Sequence, residues 1–171
     1  AVGIDAEIAV WRDEVEWSRF DGVLLRAVWD YFQRVPEFLA WLGSLGVAGI
    51  PCWNDPSLVR WNLDKRYLRE LEAKGIPTVP TLWIDPAPGA SAPTVLERIE
   101  AAGWEEMVLK PTVSAGAWRT HRVRREALAT LSGPVAEVLA SSGLMVQPFL
   151  PEIVSDGEHS LLFFDGDFSH A

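Results

Sequence analysis

The chain has 171 residues, 49% of them hydrophobic and 23% charged, which excludes a disordered, collagenous or coiled-coil chain. Its 15 basic and 24 acidic residues leave a formal net charge of −9, so it lacks the basic footprint that a nucleic-acid partner needs. The single Cys52 excludes an internal disulfide framework and a cysteine-based zinc site, and it fits a reducing, cytoplasmic setting; no apolar run reaches the ~18 residues of a membrane span, and Asp5, Glu7 and Arg12 interrupt the stretch a signal peptide would occupy.

Apolar runs and helical patterns alternate along the chain. Asp5 to Val10 reads as a strand already in progress. Val23 to Leu25 is a short buried-strand signal between Gly22 and Arg26. Phe38, Trp41, Leu42 and Leu45 then fall at helical spacing, with Pro36 at the entry and Gly46 at the exit. A strand is expected around Ala48 to Pro51, and a helical turn at Pro56 behind Asp55 as N-cap. Leu63, Tyr67, Leu68 and Leu71 share one face of a further helix that Gly75 closes. Residues 1–62 thus predict β-α-β structure on a parallel sheet.

The second half predicts α+β structure with antiparallel strands. A strand from Val79 to Ile84 leads into the loop-like Asp85 to Pro93. A helix carrying Leu96 and Ile99 follows, then strands at Met107–Leu109 and Trp118–Arg124. Helical stretches around Leu128 and from Val135 to Leu139 precede a buried strand at Leu144–Val146. Leu161 to Ser169 reads as a β-hairpin with Asp165-Gly166-Asp167 at its turn. The hairpin's abrupt end, the missing initiator Met and the strand under way at Asp5 predict a piece of a longer protein.

Three features carry chemistry. Lys110 ends an apolar strand, where a half-buried cation is costly unless an anion meets it. The small residues Ser114, Ala115, Gly116 and Ala117 follow, and such a loop lets backbone N–H groups approach a phosphate. A surface lysine before an ordinary turn is the alternative, and the spacing is not that of a P-loop. Second, the strand Met145–Val146 runs into Gln147, Pro148, Phe149 and Leu150, with Glu152, Asp156 and Glu158 beyond. A strand end of this kind can read an adenine edge while a carboxylate accepts from a ribose; a strand simply leaving the core is the alternative. Third, Lys65 stands at a helix start, where the dipole disfavours a cation and an anionic ligand would explain it; a solvated surface lysine is the alternative.

Taken together, these pieces resemble the ATP-grasp superfamily, in its prokaryotic glutathione-synthetase-like branch. The matching segments are Val23-Leu24-Leu25-Arg26 with Trp29-Asp30-Tyr31, Trp53-Asn54-Asp55-Pro56, Trp61 to Lys65, Gly75 to Thr81, Val108 to Pro111, Val146 to Leu150, Gly157-Glu158 and Asp165 to His170. The Arg26–Tyr31 and Ser169-His170-Ala171 pieces resemble most closely the small ATP-grasp group that includes the D-cycloserine-forming ligase.

The resemblance implies a partial ATP-grasp fold preceded by a Rossmann-like domain. Residues 1–62 correspond to that preceding, substrate-side domain with its first strand and helix absent, 63–149 to the first ATP-grasp subdomain, and 150–171 to the start of the second. It implies ATP and Mg2+ as cofactors, with Lys65 and Lys110 as phosphate-contacting catalytic lysines and Ser114, Ala115 and Gly116 in the phosphate-covering loop. Gln147, Pro148, Phe149 and Leu150 correspond to the adenine hinge, and Glu158 to the ribose carboxylate ahead of Glu152 and Asp156. Arg26, Trp29, Asp30 and Tyr31 correspond to substrate contacts. The implied activity is ATP-dependent joining of a carboxylate to an amine through an acyl phosphate, on small amino-acid-like or peptide substrates. Ring closure, phosphotransfer and a non-catalytic nucleotide-binding module are the alternatives. No nucleic-acid or membrane partner is implied, and a homodimer is compatible.

Two departures accompany the resemblance. Only Gly116 remains of the several glycines usual in the phosphate loop, and the family's magnesium carboxylates and arginine are expected beyond Ala171, leaving no metal ligand in this chain and a fragment inactive alone. Arg119, His121, Arg122, Arg124 and Arg125 form a basic patch, either a solvated strand or a steering surface for anions, with Arg122 and Arg124 on one face. His121, His159 and His170 are too scattered for a ligand set. No Gly-x-Ser-x-Gly elbow is present.

Overall fold

The computed structural model describes residues 3–86 and 91–171. Its first unit is one β-α-β crossover: β1 (Val23–Leu24) pairs in parallel with β2 (Cys52–Trp53), joined through α1 (Val35–Val47). Pro36 lies in the first turn of α1, where its missing N–H costs nothing. Phe38, Leu42 and Leu45 fall on one face of that helix and bury against Leu25 and Leu63. Asp55 caps α2 (Pro56–Asn62), accepting from the Ser57 backbone N–H at 2.7 Å. The chain turns through Leu63–Arg66 into α3 (Tyr67–Ala73), which ends before Gly75 in the left-handed conformation, φ +80°.

The second unit is a four-stranded antiparallel sheet. Its strands are β3 (Leu82–Ile84), β4 (Glu106–Pro111), β5 (His121–Arg124) and β6 (Leu144–Pro148), in the spatial order β3-β6-β4-β5. α4 (Ala92–Ala101), a 3₁₀ stretch at Arg125–Leu131 and α5 (Ser132–Leu139) cover one face. Val95, Ile99, Val135 and Val138 meet Ile84, Met107, Leu109, Val123, Leu144 and Val146 there. Strand side chains alternate, so Trp83, Val108, Lys110, Arg122, Met145 and Gln147 belong to the opposite face, which no helix of this unit covers. α6 (Glu152–Ser155) then leads to a hairpin of β7 (Leu162–Phe164) and β8 (Asp167–His170). Asp165 and Gly166 both take positive φ, +52° and +86°, as a two-residue hairpin turn requires.

The element types follow the pattern of the sequence, and several boundaries move. No strand forms at Asp5 to Val10: Ile4 and Ile8 are 79% and 99% exposed, and no described strand pairs with the segment. The strand expected at Ala48–Pro51 lies at Cys52–Trp53 instead, because α1 runs on to Val47 and a turn follows. Leu63 caps the end of α2 and is not part of α3, so Lys65 sits in the turn two residues ahead of α3. β3 starts at Leu82 and β5 at His121, each shorter than the apolar runs suggest. Residues 87–90 of the expected Asp85–Pro93 loop lie outside the described residues.

Candidate functional site

The uncovered sheet face and the turn between α2 and α3 meet at the end of β4. Lys110 stands opposite Met145, and Val108 opposite Gln147, so Lys110 and Gln147 are diagonal neighbours on adjoining strands, about 7–8 Å apart at Cα. The turn carrying Lys65 is strapped to the same strand end. The Lys65 backbone N–H donates to the Thr112 carbonyl at 2.8 Å, and the Thr112 hydroxyl donates to the Asp64 carboxylate at 3.3 Å. Burial works to raise the Asp64 carboxyl, but bonds from Arg66 and Thr112 hold it below the ordinary value.

Two ammonium groups are thereby brought together half-buried. Burial and the charge of Lys110 push the Lys65 ammonium down to about 8. Burial also lowers Lys110, while the nearby Glu158 carboxylate works the other way. Among the described residues neither lysine forms an ion pair. Lys65 Nζ instead donates to the Ser114 carbonyl at 2.7 Å and hydroxyl at 2.9 Å. Ser114, Ala115 and Gly116 belong to the β4–β5 loop, whose Gly116, Ala117 and Arg119 all have positive φ.

At the other end of β6, Gln147 is buried and its Nε2 donates to Thr81 Oγ1 at 2.8 Å; Thr81 in turn donates to the Val79 carbonyl at 2.7 Å. Beyond Pro148, the Phe149 N–H donates to the Glu106 carbonyl at 3.0 Å. The Phe149 ring lies under the Arg122 guanidinium, 3.5 Å from its centroid, and Arg122 pairs with Glu106 at 2.8 Å. Leu150 is exposed and starts the turn into α6, where Glu152 lies; Asp156 caps that helix and the exposed Glu158 follows.

The structure divides Arg26, Trp29, Asp30 and Tyr31 between two adjoining cavities that follow the carboxyl end of β1. One, of about 390 Å³, is lined by Arg26, Trp29 and Asp30, with Trp11 and Trp17 on its wall. The other, of about 320 Å³, is lined by Arg26 and Tyr31 over Leu25, Phe38, Val59 and Leu63. Ligands of α/β units gather at such strand ends. Asp30 is already engaged: it accepts from Trp11 Nε1 at 2.8 Å and pairs with Arg12 Nε at 2.7 Å. Trp29 is 73% exposed. Burial raises the Tyr31 phenol.

Several residues around the site escape sequence reading. Thr81, Asp64, Thr112 and Glu106 act through partners 16 to 66 positions away, so only the fold reveals them. Phe32, directly after the Arg26–Tyr31 motif, and Trp118, directly after the small-residue loop, could be suspected from their neighbours alone. Arg122 and Arg124 do share the exposed face of β5. Among the described residues no group of three or more His, Cys, Asp and Glu side chains could hold a metal ion.

The chain is similar to proteins of one biosynthetic group. Residues 1–54 match the family model described as D-cycloserine synthetase DcsG, N-terminal domain. The cycloserine biosynthesis protein DcsG of Streptomyces lavendulae is 40% identical over 99% of this chain and 57% of its own length. The crystal structure of D-cycloserine synthetase DcsG superposes with a TM-score of 0.89 at 37% identity, over 98% of this chain and 57% of that one. An ATP-grasp RimK domain protein from Sphaerobacter thermophilus shares the fold alone, with a TM-score of 0.53 at 20% identity over 67% of this chain and 42% of its own. The chain therefore spans little more than half the length of the relatives it matches. Over that span it has a partial ATP-grasp fold and resembles the D-cycloserine-ligase branch of the superfamily.

Proposed function

We propose that this chain is the nucleotide-binding part of an ATP-dependent ligase that activates a small, amino-acid-like or peptide carboxylate as an acyl phosphate for attack by an amine. One observation carries the reading: Lys65 and Lys110 come together half-buried with no ion pair among the described residues, a costly arrangement that a polyphosphate would relieve.

In this reading Lys65 and Lys110 hold the transferring phosphates and offset the charge that develops on them. Ser114, Ala115 and Gly116 offer backbone N–H groups to the same phosphates. Leu150 N–H and the Pro148 carbonyl read the adenine edge, since the Phe149 N–H is already spent on Glu106. Gln147, fixed by Thr81, sets the strand end, and Glu158 accepts from the ribose hydroxyls. Arg26 and Tyr31 are the substrate-side contacts, with Trp29 at the rim and Asp30 holding the segment in place. The domain limits 1–62, 63–149 and 150–171 separate these duties. Magnesium, when bound with the nucleotide, adds positive charge at the phosphates. A cytoplasmic location follows from the ATP dependence, and a homodimer is compatible with it.

A second reading of the outcome is ring closure, in which the attacking amine and the activated carboxylate belong to one amino-acid derivative. The 40% identity to a cycloserine biosynthesis protein favours it. The first test is direct. Mg-ATP should quench or shift tryptophan emission of the full-length protein saturably, and Lys110→Ala should abolish that response. Absence of any saturable change in the wild type overturns the reading.

A further inference from the structure

The β4–β5 loop is anchored at its tip to the other unit of the chain. Trp118 packs on Phe32 with ring centroids 5.3 Å apart and the rings tilted by 48°, and the Arg119 guanidinium lies over the Trp118 ring, 4.4 Å from its centroid. Arg119 is itself held at α5, donating to the Glu137 carbonyl at 3.3 Å and pairing with its carboxylate at 3.4 Å. Nearer the start of the loop, Val113 packs against the hydrophobic cluster of the first unit.

Between these anchors the backbone is strained. Gly116, Ala117 and Arg119 take φ of +56°, +58° and +52°, and two of the three are not glycine. Side-chain-bearing residues hold that conformation only where their surroundings over-determine it. Trp118 sits between the two strained non-glycine positions, and its ring carries the contact from there to the other unit. Its partner Phe32 lies in the 3₁₀ turn Tyr31–Gln33, directly after the Arg26–Tyr31 segment. Tyr31 meets Phe32 edge-on, with centroids 6.1 Å apart, and lines the 320 Å³ cavity.

We propose that Trp118 is a positioning residue: its packing against Phe32 fixes the Ser114–Ala117 loop in the geometry that receives nucleotide phosphates, and so ties that geometry to the Arg26–Tyr31 segment. The proposal rests on the nucleotide reading given above. With that contact gone, the loop leaves its strained conformation, and binding must first restore it. A competent state that is only partly populated weakens apparent affinity by that fraction. An aromatic pair of this kind changes an equilibrium by about 2- to 10-fold.

The experiment is calorimetric titration of Mg-ATP into the full-length protein and into Trp118→Leu, Phe32→Leu, the double variant and Trp118→Phe, with thermal melts alongside. Each single leucine variant should raise Kd about 3- to 10-fold. The double variant should be no weaker than the worse single within about 2-fold, because one contact is lost either way. Trp118→Phe, which restores a ring, should return to within about 2-fold of wild type, a rescue that general loosening of the loop would not give. If Trp118→Leu fails to fold, Phe32→Leu and Trp118→Phe make the same comparison. Unchanged or tighter binding in the leucine variants, or additive losses in the double, overturns the proposal while the nucleotide reading stands. No binding by the wild type overturns both.

Discussion

The Lys65 ammonium donates to both oxygens of Ser114, at 2.7 and 2.9 Å, across 49 residues of sequence. One cation thus closes the turn between α2 and α3 onto the β4–β5 loop. An arriving phosphate must compete for that ammonium, and it must find the ammonium protonated.

Protonation makes the first prediction. Lys65 titrates at about 8 in the unliganded chain, against 10.5 ordinarily. A bound polyanion raises it, so binding takes up a proton and affinity falls as pH rises through 8. Mg-ATP should bind about tenfold more weakly at pH 9 than at pH 7. Lys65→Arg, whose guanidinium stays charged, should flatten the profile. In the unliganded fold the sign is opposite. The unfolded chain holds this proton up to 10.5, so Lys65 adds stability as pH climbs from about 8 to 10.5, read against Lys65→Met in urea unfolding.

Lys110→Ala should lower turnover of the full-length protein by on the order of 10²-fold or more, because the lost charge acts on the transferring phosphoryl group. The melting temperature should change little, since the side chain is on the uncovered face and outside the core cluster. Turnover at the wild-type rate would remove Lys110 from the mechanism.

Thr81→Val leaves Gln147 Nε2 without its acceptor at a buried position. The expected cost is about 1–3 kcal/mol in chemical unfolding. Mg-ATP affinity should fall as well, because Gln147 then no longer fixes the end of β6. A variant of wild-type stability would mean that water satisfies Gln147.

How far these residues could be foreseen depended on the range of their interactions. β4 and β6 are legible because Val108–Leu109 and Leu144–Val146 are apolar runs, and the hairpin because Asp165-Gly166 can adopt the two left-handed residues its turn needs. Lys65 and Lys110 stand out because cations sit where local chemistry disfavours them. Asp30 shows the limit. Its motif suggests a substrate contact, yet its two oxygens go to Trp11 and Arg12, 19 and 18 positions upstream. At Asp5–Val10, where a strand is expected, the side-chain tether is the Glu7–Arg19 ion pair, and among the described residues no strand pairs with the segment.

Asp30→Ala tests that structural role. Trp11 loses its acceptor and Arg12 its partner, and the indole that packs on Phe38 at 5.4 Å is no longer held. Stability should fall by about 1–2 kcal/mol in urea. Asp30→Asn, which keeps an oxygen for Trp11, should recover more than half of that loss.

Gly143→Ala should destabilise by about 1–3 kcal/mol. An added Cβ would lie 3.0 Å from Thr112 Cγ2 and 3.3 Å from the Ile84 carbonyl, and the Gly143 carbonyl already takes the Thr112 N–H at 2.8 Å. Because Thr112 is the strap between β4 and the Lys65 turn, the variant should weaken Mg-ATP binding in the same titration. A melting temperature equal to wild type would show that the loop before β6 can yield.

Among the described residues the sheet ends on β3 and β5, and strand edges invite other chains to add to them. β5 spans four residues and sets Arg122 and Arg124 on its solvent side; β3 spans three, between Pro80 and Pro86. Charge guards one margin, while brevity and flanking prolines guard the other. The arginines that read as a basic patch thus also charge the β5 margin, on the same uncovered face that carries Lys110.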